Sequence, residues 1–69
     1  MSKQVMARVR SQFEKSGLSL DELGQRMGYK DDAARKSAWQ FLNKTTDPRL
    51  SMLQRFADAL KITLVDLVK

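Results

Sequence analysis

The chain has 69 residues, 42% of them apolar, and thirteen Lys and Arg against eight Asp and Glu give it a formal net charge of +5. That length holds one small domain whose core seldom supplies more than about 3–5 kcal/mol, which leaves room for self-association. With no cysteine and no histidine, disulfide staples, thiolate metal sites and histidine-based catalysis are excluded, and the chain is short for a pocket that would desolvate other catalytic groups, so no enzyme is expected.

Val5, Val9 and Phe13 recur every four residues with Lys3, Arg8, Arg10 and Lys15 largely elsewhere, which predicts an amphipathic helix over about residues 3 to 15, ended by Gly17. Ser19 starts a second helix as N-cap. Glu22, three residues on, completes a capping box, and Asp21 and Glu22 suit the positive end of the helix dipole. Leu20, Leu23 and Met27 form its buried stripe. Gly24 inside this helix costs about 1 kcal/mol relative to alanine, so its expected use is close approach of another helix. Gly28 falls just past the helix end.

Either Asp31 or Asp32 is expected to cap a third helix running to about Asn43. Ala34, Ala38, Phe41 and Leu42, at i, i+4, i+7 and i+8, give it a narrow buried face that begins with small residues. Lys36, Ser37, Gln40, Asn43 and Lys44 lie opposite, while Arg35 and Trp39 share a flank. The indole of Trp39 is expected at the edge of the core, with a partner surface as the alternative. KTTDP breaks the pattern, because proline biases Asp47 away from helical geometry. A fourth helix follows, with Pro48 or Ser51 near its start and a core stripe of Leu50, Leu53, Phe56, Ala57 and Leu60. Thr63 is expected to cap a last turn carrying Leu64, Leu67 and Val68. No strand is predicted, so the fold class is all-α, a compact bundle of four to five short helices.

Leu64, Val65, Leu67 and Val68 are more apolar groups than one short turn easily buries, and Leu64, Val65 and Val68 are the expected dimer seam. No calcium-loop spacing follows Asp21–Glu22 or Asp31–Asp32, so helix capping explains both pairs and neither metal nor cofactor is expected. No apolar run approaches the roughly 20 residues of a membrane span, and MSKQVMARVR lacks a signal peptide's apolar stretch. A cytoplasmic protein is therefore expected.

Two short helices with a tight glycine-containing connection, the second polar and basic on its outer face, are what a helix-turn-helix requires: one helix braces while the next lies in the major groove. Arg and Lys suit guanine O6 and N7 and Gln suits adenine N6 and N7, which makes Arg35, Lys36 and Gln40 the candidate base readers. Asn43, Lys44, Thr45 and Thr46 suit phosphate oxygens. Lys30, Ser37 and Arg49 complete the backbone-contacting set, with pairing to Asp47 as the other use for Arg49.

The segments LSLDELGQRMG, FLNKTTDP and LQRFADALKITLVDLV, in that order between Gly17 and Val68, resemble the Cro and phage-repressor type of helix-turn-helix, also called the xenobiotic-response-element family. That resemblance implies a lambda-repressor-like five-helix bundle, a third helix that reads operator DNA, and a homodimer on a two-fold operator. Aligning Phe41, Leu42 and Asn43 with the end of the family's third helix puts Arg35, Lys36 and Gln40 at base-facing positions and Asn43 and Lys44 at phosphate contacts. Two departures stand out. Between Gly28 and Pro48 the chain has about four residues more than the family pattern, so YKDD either lengthens the turn or extends the third helix at its N-terminal end. Leu20 replaces a glutamine that many members carry at the start of the second helix. The expected function is a DNA-binding transcriptional regulator, a repressor by occlusion of a promoter. The alternatives are an antitoxin-type regulator that also binds a toxin protein, and a module whose basic face binds an acidic protein.

Overall fold

A computed structural model describes the backbone of residues 2–68 and the side chains of residues 4–67. Among the described residues the chain is all helical: α1 Ser2–Ser16, α2 Leu20–Arg26, α3 Asp31–Lys44, α4 Leu50–Leu60 and α5 Val65–Val68. The most extensive helix contact is between α2 and α3, with α4 against α2 and α5 against α1. The core gathers Met6, Val9, Leu23, Met27, Ala38, Phe41, Leu42, Leu53, Phe56, Ala57, Ala59 and Leu67. Within it the rings of Phe41 and Phe56 are tilted by 42° at a centroid distance of 5.7 Å, inside the range where aromatic pairs add to simple burial.

Local chemistry sets most of the boundaries. The Glu22 amide donates to Ser19 Oγ at 3.1 Å and the Ser19 amide donates back to Glu22 Oε1 at 3.3 Å, the reciprocal pair of a capping box. At the other end of α2, Gly28 takes φ 99°, a left-handed conformation that costs glycine little. There the Gly28 amide donates to the Gln25 carbonyl and the Tyr29 amide to the Gly24 carbonyl, both at 3.0 Å, so two terminal carbonyls are satisfied in a Schellman motif. The same pattern closes α4, where the Lys61 and Ile62 amides donate to the carbonyls of Asp58 and Ala57. The residue at φ 59° is now a lysine.

Gly24 is where α2 and α3 touch. A Cβ added there would collide with the carbonyl of Ala34 and come within 2.7 Å of its Cα. Close approach of another helix was the use expected for this glycine, and α3 meets it with the small residue at its fourth position. Only Met27–Lys30 separate the two helices. Of the YKDD segment, Tyr29 and Lys30 lie in this connection and Asp31 and Asp32 open α3, a helix of 14 residues about 21 Å long.

Two arginines tie the helices together end to side. Arg10 of α1 donates to the Leu42 carbonyl near the end of α3, and Arg26 of α2 donates to the Ala59 carbonyl near the end of α4, each at 3.1 Å. Both acceptors belong to the last turns, whose carbonyls lack intrahelical donors and carry the negative end of the helix dipole.

Several expectations are corrected. Neither Asp31 nor Asp32 caps α3: Lys30 is the N-cap with no side-chain hydrogen bond, and both carboxylates lie within the first turn, where they face the positive end of the dipole as charges rather than as caps. Pro48 and Ser51 both lie near the start of α4, as expected, with Arg49 between them as N-cap. Leu50 is 66% exposed, because α4 enters the core only with Leu53, one turn later. At the other end of α4, Ala59, outside the expected stripe, is buried and Leu60 packs beside the core. In α1 the buried face is rotated by one residue, with Met6 and Val9 buried and Val5 and Phe13 packed beside the core. At the start of the last turn the Thr63 carbonyl accepts the Asp66 amide at 3.1 Å. The Thr63 amide and hydroxyl both donate to Asp66 Oδ2, at 2.9 and 3.0 Å.

Gly24→Ala tests the close contact by sign. In an open helix it stabilises by about 1 kcal/mol. Here it is expected to destabilise by roughly 3 kcal/mol, the upper end of overpacking, read as a large fall in the denaturation midpoint; a rise would remove the contact. Lys61→Gly is expected to stabilise by about 0.5–1 kcal/mol, since glycine avoids the Cβ clash of the left-handed conformation, measured as a higher thermal midpoint.

Candidate nucleic-acid interface

Burial of Ala34, Ala38, Phe41 and Leu42 fixes how α3 is rotated about its axis. With 3.6 residues per turn, the face opposite this stripe carries Lys36, Gln40 and Asn43, all exposed. Arg35 and Lys44 flank that face and are exposed too, while Ser37 is half-buried. The helix is also polarised along its length. Asp31 and Asp32 make its first turn acidic, and Arg35, Lys36 and Lys44 make the remainder basic. An anion approaching α3 is thus attracted from its second turn onward and repelled at its start.

On one flank the C-terminal half of α3 borders the loop before α4 and forms a groove of about 440 Å³ whose lining includes Ser37, Gln40, Lys44, Thr45 and Arg49, with Tyr29 at its side. Five of the residues predicted to touch DNA thus converge on one concavity. The Tyr29 hydroxyl donates to Met52 Sδ at 3.7 Å, and both side chains help to line this groove. Neither was predicted there, and only the fold brings residues so far apart in sequence together.

The other flank differs in chemistry. Arg35 and Lys36 stand beside Leu20, Asp32 and Trp39 around a second groove of about 420 Å³. Trp39 is 45% exposed, which corrects its expected position at the edge of the core: it lies off the Ala34–Ala38–Phe41–Leu42 stripe, on the same flank as Arg35. Lys44 holds its ammonium 5.7 Å from the indole centroid, within cation–π range. The Asn43 side-chain amide donates to the Trp39 carbonyl at 3.0 Å and so lies back along the helix. Lys30 and Thr46 are exposed and line neither groove.

The predicted dimer seam is divided. Leu64 packs against the core, Val65 is 59% exposed, and the side chain of Val68 lies outside the described residues. Among the described residues, no three His, Cys, Asp or Glu side chains gather as metal ligands, and no helix is long and apolar enough to cross a membrane. No protein-family model, curated protein or solved structure matches the chain.

Proposed function

We propose that the protein is a sequence-reading double-stranded-DNA-binding regulator that lays α3 in the major groove, with α2 bracing it across the backbone in the manner of a helix-turn-helix. One observation carries this reading. The helix held at its back by the Gly24–Ala34 contact turns outward an exposed row of Arg35, Lys36, Gln40, Asn43 and Lys44, side chains whose donors and acceptors match base edges and phosphate oxygens. The net charge of +5 agrees in sign with such a partner.

In this reading Arg35, Lys36 and Gln40 read bases. Lys44, Thr45 and Arg49, gathered on one groove, position the phosphate backbone, together with Lys30, Ser37, Asn43 and Thr46. The acidic first turn keeps Asp31 and Asp32 clear of the phosphates, so the duplex engages α3 from Arg35 onward. Homodimerisation through Leu64, Val65 and Val68 would set two such helices about 34 Å apart, one turn of DNA, and a regulator of this kind would act by occluding a promoter.

The deciding experiment is selection of binding sites from a randomised duplex pool, followed by affinity measurements on the selected and a random duplex across salt. An enriched two-fold motif, with log affinity falling linearly in log salt, is expected. Absence of both would direct attention to an acidic protein or a toxin as the partner. Gln40→Ala is expected to weaken the selected site by about 1–3 kcal/mol while leaving random DNA nearly unchanged. Lys44→Ala is expected to weaken all duplexes alike and flatten the salt slope by about one unit.

A further inference from the structure

The flank of α3 that carries Trp39 is apolar where the rest of the outward face is polar. The half-exposed indole and Leu20, from the start of α2, border two neighbouring grooves. One continues toward Phe13 and Leu42, and the other opens beside Arg35 and Lys36. A single exposed apolar residue calls for no explanation. Here Leu20 of α2 and Trp39 of α3 share an apolar floor, edged by Arg35, Lys36 and the carboxylate of Asp32 in one groove and by Arg10, Glu14 and Asn43 in the other. Leu20, the first residue of α2, brings an apolar side chain to both grooves.

A duplex lying on Lys36 and Gln40 presents this floor with only a few kinds of group. Phosphates are anionic, and the major-groove edges of guanine, cytosine and adenine are hydrogen-bonding. Thymine alone adds an apolar group, its 5-methyl. Resting on the duplex reading above, we propose that the floor formed by Leu20 and Trp39 reads a thymine methyl, so that α3 combines apolar readout on one flank with hydrogen-bond readout by Gln40 on its outer face.

The test replaces each thymine of the selected duplex in turn with deoxyuridine, which keeps O4 and base pairing and removes only the methyl. Wild-type protein is expected to bind about fourfold more weakly at one thymine per half-site, the loss for one buried methyl. Trp39 is the only tryptophan, so its emission should respond to the thymine duplex and respond less to the uracil duplex. In Trp39→Ala, and separately in Leu20→Gln, the ratio of thymine to uracil affinity should fall toward one. Because the ratio is taken within each variant, a change in folding stability does not mimic it. Gln40→Ala should keep the full uracil penalty. Sequence-preferring binding with no uracil penalty, or a penalty undiminished in both floor variants, overturns thymine reading and leaves the duplex reading intact. Wild-type protein that binds no duplex overturns both.

Discussion

Gly24 lacks the one carbon atom that would keep α2 and α3 apart, and the backbone of Ala34 occupies the space. The orientation of the outward face depends on this contact. Because Ala34 must meet Gly24, α3 is held at a fixed rotation, and residues two and six positions further on, Lys36 and Gln40, point away from the bundle. The Gly24 carbonyl also accepts the Tyr29 amide that closes α2. The same residue therefore sets both how near the two helices lie and how abruptly the chain turns between them. Close packing of backbones leaves little freedom for adjustment, so a functional face borne by α3 inherits its precision from a glycine on the helix behind it.

Charge is distributed along the chain by the same electrostatic rule. Acidic residues occupy the first turns of α2 and α3, and the guanidinium groups of Arg10 and Arg26 reach carbonyls near the ends of α3 and α4. Each arrangement complements a helix dipole. Two of the thirteen cations are thus engaged in holding helices together, and net charge alone says less about a partner than the row on α3 does. The dipole rule accounts for the two ends of α3, with Asp31 and Asp32 in its first turn and Lys44 in its last, whereas Arg35 and Lys36 stand in the second turn, outside its reach.

Trp39 and Leu50 show where pattern ceased to be informative. Both are large apolar residues in helices, and both are substantially exposed. Leu50 lies in register with Leu53 and Phe56, but it belongs to the opening residue of α4, before the helix reaches the bundle. Trp39 lies off the buried stripe of α3, and its spacing from Arg35 placed it correctly on a flank without revealing what covered that flank. In α1, Val5 and Met6 are equally apolar, and the arc that faced the core depended on where the neighbouring helices lay. The convergence of Ser37, Gln40, Lys44, Thr45 and Arg49 on one groove joins residues already near in sequence. The addition of Tyr29 and Met52 does not, and no local signal pointed to it.

What the sequence by itself determined was everything decided within a few residues: helical periodicity, the Ser19–Glu22 capping box, the glycine stops after α1 and α2, and the buried stripe of α3, because hydrogen bonds and side-chain spacing inside one helix depend on neighbours in the chain. What only the tertiary structure decided was which face met which. The arginine contacts to distant carbonyls, the collision that would follow a side chain at position 24, and the exposure of Trp39 and Leu50 all depend on atoms brought together from far along the chain, and a periodic pattern is unchanged by rotation of one helix against another.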